Sequence, residues 1–313
     1  MSTHVPQEVT LIDVDKIRDN IISGGLARKV APHNTDIIPG SEKFEWNVRD
    51  DKVFLQVRQD WSNARRRSQI GYRPIRENVM VIKDGLEYQH YEKMIVDRGK
   101  IPYDKQQAIL AEYFFEREDM LFFANDPMAR PGGWTGVANA NASPTAGTHF
   151  STTWGATALN VTTLDLFLTT LGYGVGQLID GMDQISPYPL ILVLAPDAYK
   201  DVLYLKDENG TALKQALELL KTSGNGMSAI YQSKWLGATI DYKKDGSYSV
   251  TNGTNTAALM AWGQNNYEVA TSGLQAREDI NDVDGLRLNM EEGYLPISYY
   301  PESIIYEAAV ADS

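Results

Sequence analysis

Apolar residues recur through residues 104–123 with the spacing of one broad stripe along an α-helix. Asp104 is the predicted N-cap, and Gln107 completes an approximate capping box three residues later. After Phe123 the pattern stops, and a proline- and glycine-containing stretch follows. The sequence therefore predicts one long amphipathic helix with sharp ends. Its predicted stripe consists of Ile109, Leu110, Tyr113, Phe114, Met120 and Leu121.

A second helical pattern covers Thr163–Asp180 and precedes a continuous apolar run at Pro189–Leu194. The glycines inside the helical pattern weaken that prediction, because glycine is a poor helix former. The apolar run is bounded by prolines and is typical of a buried central strand. Two further helices are predicted at Ala198–Leu205 and Ala212–Leu220. This order of helices around a buried strand predicts a compact α/β unit over roughly 156–264.

The C-terminal part of the chain alternates short apolar runs with turn residues. The pattern in residues 85–97 fits either a strand or a short helix. The predicted C-terminal strands are Thr239–Tyr242, Ser247–Val250, Ala257–Trp262, Tyr267–Ala270, Leu286–Glu291, Ile297–Tyr299 and Ile304–Ala308.

The segment from Phe44 to Met80 is strand-like at both ends and basic in the middle. Two strands around an Arg-rich tip predict a long projecting hairpin, which has no core of its own and needs a partner surface. One interpretation places its cations on acidic surface of a neighbouring copy, and the other leaves them as a solvated run of charge. Before this segment, residues 8–22 predict a short amphipathic helix within a loose N-terminal arm.

Composition narrows the functional classes. The chain carries a net charge of −12, which disfavours sequence-specific DNA binding, and 43% of its residues are hydrophobic. It contains no cysteine, which excludes disulfides, thiol nucleophiles and Cys-ligated zinc. The acidic, mixed N-terminus does not resemble a signal peptide, so we expect a protein made and used in the cytoplasm.

Candidate chemistry is sparse. None of His4, His33, His90 and His149 has a metal-binding spacing, and neither a nucleophile elbow nor a phosphate loop is present. The acids in Glu116–Asp119 adjoin one another on the predicted helix, which favours a polar face or ion pairs to a neighbouring subunit over a catalytic pair. The acidic stretch 278–285 lacks the spacing of a calcium loop, although a weak cation site there stays open. We therefore predict no enzyme activity, cofactor or metal.

The order of these parts resembles shell proteins of the Hong Kong 97 type, which comprise tailed-virus major capsid proteins and the related encapsulins. Residues 87–137 resemble the strand ending in Arg-Gly (Arg98 and Gly99), the long "spine" helix with an acid pair near its end (Glu118 and Asp119), and the glycine-containing turn of that family. The segment PYPLILVLAPDAY resembles the beginning of the axial domain. Pro301–Tyr306 resembles the closing proline and strand.

The resemblance implies an α+β fold with four parts: an N-terminal arm at 1–43, an extended loop at 44–84, a peripheral domain at 85–155 and 265–313, and an axial domain at 156–264. It implies a major capsid protein that assembles through pentamers and hexamers into an icosahedral shell around viral DNA. The alternative is an encapsulin-type shell around cargo enzymes. Few residues precede Arg98, as in encapsulins, but the Gly-Pro-Tyr-Gly-Trp-Glu signature of encapsulins is replaced by IIPGSEKFEW, which favours the capsid.

The resemblance also implies where copies meet and what they meet. The expected partners are other copies, weakly held double-stranded DNA, and portal, scaffolding or decoration proteins, in a virion assembled in the host cytoplasm, with no membrane. Two sets of inter-subunit residues are predicted. They are Arg58, Arg65, Arg66, Arg67, Arg73 and Arg76 on the extended loop, and Glu116, Glu118 and Asp119 on the spine helix.

Overall fold

The computed structural model describes residues 25–49, 72–88, 103–124, 126–127, 137, 152–154, 158–182, 188–224, 226–245, 247–253, 256–263, 266–281 and 285–307. The predicted helix at 8–22 and the Arg-Gly turn at Arg98 lie outside the described residues. So does the tip of the predicted hairpin, with Arg58, Arg65, Arg66 and Arg67.

The helices are α1 (Ala27–Val30), α2 (Tyr103–Phe123), α3 (Leu164–Gly181), α4 (Pro196–Tyr204) and α5 (Ala212–Ser223), with a 3-10 turn at Pro301–Ser303. The N-terminal strands are β1 (His33–Asn34), β2 (Lys43–Arg49), β3 (Tyr72–Asn78), β4 (Met80–Tyr88) and β5 (Thr152–Thr153). The central strands are β6 (Leu190–Leu194), β7 (Lys206–Asp207), β8 (Gly210–Thr211), β9 (Ala229–Gln232), β10 (Thr239–Tyr242) and β11 (Tyr248–Thr251). The C-terminal strands are β12 (Ala257–Ala261), β13 (Tyr267–Thr271), β14 (Gln275–Asn281), β15 (Gly285–Ser298) and β16 (Ile304–Glu307).

Strand β15 organises the first sheet, hereafter the β15 sheet. It pairs with β4 on one side, and with β14 and then β13 on the other; β1 adds parallel to β13. Side chains alternate between the two faces of a strand. Met290 and Tyr294 therefore pack in the same core as α2, whereas Leu295 and Ile297 pack on the opposite face. Two strands predicted at Leu286–Glu291 and Ile297–Tyr299 are thus one continuous strand, because it has partners on both sides.

The second sheet, the β6 sheet, has the strand order β5-β16-β12-β6-β9. Leu190, Leu192 and Leu194 contact the core under α3, α4 and α5, while Ile191 and Val193 contact the core that includes α2. Burial on both faces explains the uninterrupted apolar run in β6. Because β16 pairs with β12, the C-terminal strand joins a sheet otherwise built largely from residues 190–261. The predicted division into domains stays a prediction.

The two described ends of the predicted hairpin pair as an antiparallel ribbon of β2 and β3. Its base is fixed by Trp46, which is buried against Ala270, Leu295 and Ile297 on the outer face of the β15 sheet. Phe44 stacks on Trp46, with 6.2 Å between the ring centroids. The ribbon therefore starts from an apolar anchor on the main body. Arg73, opposite Val48, lies on the tip side of Trp46, and Arg76, opposite Glu45, lies on its body side.

Helix α2 begins at Tyr103, so Asp104 lies inside the helix and the prediction that it is the N-cap was wrong. The predicted stripe is confirmed at Leu110, Phe114, Met120 and Leu121, which are buried. It was wrong at Ile109 and Tyr113, which are 48% and 61% exposed. The buried side of α2 instead extends to Ala111, Phe115 and Phe122, because α1 and the β15 sheet both pack on it.

Helix α3 continues through Gly172, Gly174 and Gly176. Gly174 lies directly under the fully buried ring of Trp154, where an added Cβ would stand 2.3 Å from the nearest ring carbon. The indole Nε1 of Trp154 donates a hydrogen bond of 3.2 Å to the carbonyl of Thr170 on the same helix. The absence of a side chain at Gly174 thus lets the indole lie against the helix backbone.

Candidate functional site

A buried ionic network joins three distant parts of the chain beneath α2. The guanidinium of Arg28, on α1, donates from Nε to Glu118 Oε2 at 2.7 Å and from a terminal nitrogen to Glu118 Oε1 at 2.6 Å. The same terminal nitrogen lies 3.2 Å from both carboxylate oxygens of Glu292 on β15. The side chains of Glu118 and Glu292 are 0% and 1% exposed. The bidentate pair of Arg28 and Glu118 belongs to the stronger class of hydrogen-bonded ion pairs in proteins.

Asp119 caps the beginning of α1. Its carboxylate accepts hydrogen bonds from the backbone N–H groups of Leu26 and Ala27, at 3.1 and 2.6 Å. Burial raises the pKa of Asp119 against the two backbone hydrogen bonds, and with the neighbouring charges of Glu118 and Glu116 the pKa reaches about 6. The carboxylates of Glu118 and Glu292 thus share one guanidinium, and Asp119, next to Glu118, binds the backbone at the start of the same helix α1.

Two buried tyrosines complete this attachment of the N-terminal segment. Tyr267 donates to the carbonyl of Val30 at 2.7 Å, and Tyr294 donates to the carbonyl of Glu118 at 3.4 Å. Burial raises the pKa of both phenols well above the ordinary value, so both act as neutral donors. The segment is therefore held to α2, β13 and β15 at once.

A second polar contact fixes the hairpin of β10 and β11 to the end of α2. Arg117 lies 2.9 Å from a carboxylate oxygen of Asp126, whose side chain is 0% exposed. Tyr242 donates to the same carboxylate at 3.1 Å, and the guanidinium of Arg117 stands 5.4 Å from the centre of the Tyr242 ring. At the surface nearby, Lys234 forms an ion pair with Glu116. Exposed pairs of that kind contribute about 1 kcal/mol or less.

An open groove of about 580 Å³ runs between β4, α2 and the β10–β11 hairpin. Val81, Tyr113 and Tyr248 are exposed along it. Within the described parts of the chain, His, Asp and Glu side chains form no group of three or more that could hold a metal ion. Among the described helices, none is long and apolar enough to cross a membrane. The buried polar side chains described above therefore attach distant segments of the chain to one another.

The predicted site residues fall into three groups. Glu118 and Asp119 bind α1 of the same chain, and Glu116 pairs with Lys234 at the surface. Arg73 and Arg76 lie exposed on β3, and the other predicted arginines lie outside the described residues. A contact of any of these residues with a neighbouring copy stays a prediction. Arg28, Glu292 and Asp126 were not predicted as site residues. Arg28 and Glu292 are 264 residues apart, and no local pattern links them.

The replacement Asp119→Asn is expected to change how stability depends on pH. Because burial raises the pKa of Asp119 to about 6 from 3.8, the folded chain binds this proton more tightly than the unfolded chain. Its contribution to stability is therefore complete below about pH 4 and is lost as the pH rises through about 6. Over this range, urea denaturation should show the free energy of unfolding of the wild type falling relative to Asp119→Asn, by up to about 3 kcal/mol. A difference that is independent of pH would contradict the assignment.

Comparisons with known proteins find similarity in structure alone. Searches for a matching family model and for a matching curated sequence found none. The virus-like particle from Pyrococcus furiosus is 12% identical, with a TM-score of 0.55 over 95% of this chain and 100% of that chain. The capsid of Myoviridae phage XM1 is 9% identical, with a TM-score of 0.62 over 93% and 92%. The capsid of a native GTA particle, computed with C5 symmetry, is 13% identical, with a TM-score of 0.54 over 91% and 89%. The likeness covers nearly the whole chain and shows a shared fold.

Proposed function

Because this chain has the α+β fold of the Hong Kong 97-type shells, we propose that its copies assemble through pentamers and hexamers into a closed icosahedral shell. The observation that carries the proposal is the likeness over 91–95% of the chain to two capsids and a virus-like particle. The C5 symmetry used for one of these capsids supports rings of subunits. Rings need two different complementary surfaces on each copy.

We infer further that the shell is a tailed-virus capsid around double-stranded DNA. The TM-score is higher for the phage XM1 capsid, at 0.62, than for the virus-like particle, at 0.55. A net charge of −12 fits a container that holds DNA by weak, non-specific contact, because tight neutralisation of phosphates needs many cations. Such a chain would assemble in the host cytoplasm with portal, scaffolding or decoration proteins and would reside in the virion.

The second candidate is an encapsulin-type shell around cargo enzymes. The alignment includes the whole of the Pyrococcus furiosus chain and 95% of this one, so the two subunits have similar extents. In that case the contents are protein and not nucleic acid. The division into arm, extended loop, peripheral domain and axial domain applies to both candidates.

Purified protein examined by electron microscopy tests the proposal. Uniform hollow particles are expected, and chains that stay monomeric under a wide range of salt and protein concentrations would contradict it. Nuclease-resistant DNA inside particles from the native host supports the capsid. A stoichiometric second protein inside nucleic-acid-free particles supports the encapsulin alternative.

The extended loop is proposed to reach over the neighbouring copy. Its ribbon is fixed to the body through Trp46, and Arg73, which lies opposite Val48, is exposed on β3 on the tip side of this anchor. In a chain with an excess of acids, a basic projection is complementary to the surface of another copy. Of the three predicted acids on α2, Glu118 and Asp119 bind α1 of their own chain and Glu116 pairs with Lys234 at the surface, so Glu116 is the one left near the surface for such a contact.

Replacing Arg65, Arg66 and Arg67 together with Glu is expected to lower the yield of shells without unfolding the subunit. Each exposed pair contributes about 1 kcal/mol or less, but every subunit repeats the loss and adds like-charge repulsion. Electron microscopy gives the yield, and circular dichroism of the monomer checks the fold.

The matched control reverses three exposed lysines elsewhere, Lys221, Lys243 and Lys244. In both variants three reversals change the net charge from −12 by −6 to −18. The control should therefore show any effect of charge alone. A normal shell yield from the arginine variant, or an equal loss in the control, would argue against the loop contact.

A further inference from the structure

A hollow of about 240 Å³ lies beside helix α2, at the point where the described chain begins. Its floor is apolar, because Phe115 and Trp235 line it and are only 3% and 7% exposed. An apolar centre within a polar rim is the arrangement found where one stretch of polypeptide packs on another. The hollow therefore suits an apolar side chain. The charged residues of its rim are Glu112, Glu116, Asp119 and Lys234.

Gly25 forms part of the wall of this hollow. The chain after it is fixed, because the backbone N–H groups of Leu26 and Ala27 donate to the carboxylate of Asp119. A Cβ added to Gly25 would stand 3.4 Å from the Cβ of Phe115, so the backbone here lies directly against the floor. Consecutive Cα atoms are about 3.8 Å apart, and the preceding residue therefore starts at the hollow as well.

The sequence before Gly25 supplies apolar side chains at this distance. Ile21 precedes Gly25 by four residues, and an extended chain spans about 13–14 Å over that length. Ile17 lies one helical turn before Ile21, on the apolar face of the helix predicted at 8–22. A Ser-Gly dipeptide follows that predicted helix and lets the chain turn. Ile17 and Ile21 themselves lie outside the described residues.

The covalent link to Gly25 favours this segment over a side chain from another molecule. Only three residues separate Ile21 from Gly25, and a short flexible linker of this kind gives an effective concentration of about 1 mM. Another copy in dilute solution has to compete with that local concentration without such a link. Burial of one isoleucine side chain further favours the docked state by roughly 10- to 150-fold, before the cost of ordering the segment.

We propose that Ile17 and Ile21 of the same chain dock on Phe115 and Trp235, so that residues 17–24 fold back over the hollow beside α2. The inference goes beyond the proposed shell function, because it concerns the single subunit before any assembly. The N-terminal segment is then attached twice, by the polar contacts of α1 and by an apolar contact before it. The hollow is filled by its own chain and is closed to a second copy or another protein.

Pairs of introduced cysteines test the contact directly, since the chain contains no cysteine of its own. Ile22→Cys is combined with Glu112→Cys in one variant and with Lys234→Cys in another, and both rim positions are exposed. Ile22 adjoins the proposed anchor Ile21 and leaves it in place. A disulfide needs about 4.4–6.8 Å between the two Cα atoms. Oxidation of the dilute monomer should join at least one pair within a single chain, seen as faster migration on a non-reducing gel.

The matched control combines Ile22→Cys with Lys221→Cys. Lys221 is exposed on α5, which packs on the face of the β6 sheet opposite to the core that includes α2. A segment that moved freely would reach both sides of the subunit at comparable rates. The control disulfide should form at least about tenfold more slowly than the faster of the two rim disulfides, because docking raises the local concentration at the rim alone.

Removing the proposed anchors tests what holds the segment. Ile17→Asp with Ile21→Asp, added to the faster rim pair, should slow its disulfide by about tenfold, the lower end of the effect of burying one isoleucine. Val9→Asp with Ile12→Asp places the same changes on the same predicted face but farther from Gly25. That control should leave the rate within about threefold of the parent pair, as changes outside a contact usually do. Circular dichroism checks that every variant is folded.

The outcomes separate this inference from the proposed function. A rim disulfide that forms no faster than the control, or that is indifferent to the loss of Ile17 and Ile21, would overturn the inference. So would a covalent dimer as the main product when chains with Ile22→Cys alone are mixed with chains carrying one rim cysteine, which would assign the hollow to a second copy. A chain that never forms shells can still close the disulfide within itself, and shells can form without it.

Discussion

Replacing Arg28 with methionine is expected to lower the free energy of unfolding by about 3–5 kcal/mol, because the buried Glu118 and Glu292 then lose the guanidinium that both contact. Both carboxylates are almost fully buried, and Arg28 donates to Glu118 at 2.6 and 2.7 Å. Native domains are stable by about 5–15 kcal/mol, so the loss is a large fraction of the total. Urea denaturation of the monomer, followed by circular dichroism, measures it.

Lys29→Met is the matched control, since Lys29 is the next residue and is exposed. It should change the free energy of unfolding by about 0.5 kcal/mol or less. Adding Glu118→Gln and Glu292→Gln to Arg28→Met removes both buried negative charges and should recover part of the loss. If Arg28→Met were as mild as Lys29→Met, or if the triple variant recovered nothing, the ionic network would not hold the N-terminal segment in place.

Gly174→Ala is expected to destabilise the subunit by about 2–3 kcal/mol, an effect of overpacking. The new methyl group would stand 2.3 Å from the indole of Trp154, which is fully buried and cannot move aside without disturbing the core under α3. Displacement of the indole should also break the hydrogen bond that Trp154 donates to the carbonyl of Thr170. Thermal unfolding, together with tryptophan fluorescence, reports both effects.

Gly176→Ala lies on the same helix and gives the opposite expectation. An added Cβ there meets no described atom within 4 Å, so the change should stabilise the monomer by about 0.5–1 kcal/mol through helix propensity alone. Equal effects of the two substitutions would show that Trp154 does not lie against Gly174.

Regular elements were predictable where one local pattern determined them. The apolar run at Pro189–Leu194 predicted the buried strand β6, and the strand predicted at Thr239–Tyr242 is confirmed as β10. The α+β fold and its resemblance to the Hong Kong 97-type shells are likewise confirmed. The helix predicted at Thr163–Asp180 is confirmed with its start one residue later, because Thr163 accepts the N–H of Leu166 and is the N-cap. Strand β14 was missed, since its sequence QAREDIN has no apolar alternation.

The polar site could not be predicted, because its chemistry depends on distant residues. Glu118 reads locally as one acid among several on a polar helix face. Its burial depends on Arg28, 90 residues earlier, and on the face that α2 turns towards the β15 sheet. Because α2 turns that face towards the β15 sheet, Ile109 and Tyr113 on its other side are exposed despite their apolar character. Periodicity gives the width of a helix stripe, whereas the partners that pack on it determine which side is buried.

The pairing of the N-terminal segment with the last strands also constrains the order of events during translation. Tyr267 holds Val30 across 237 residues, and Glu292 holds Arg28 across 264. A ribosome adds about 5–20 residues per second, so it reaches Glu292 roughly 15–50 s after it has made Arg28. Until then, α1 has no β13 or β15 to bind. We therefore expect a chain still on the ribosome to lack this attachment, so that it cannot yet present the complete fold of a released chain.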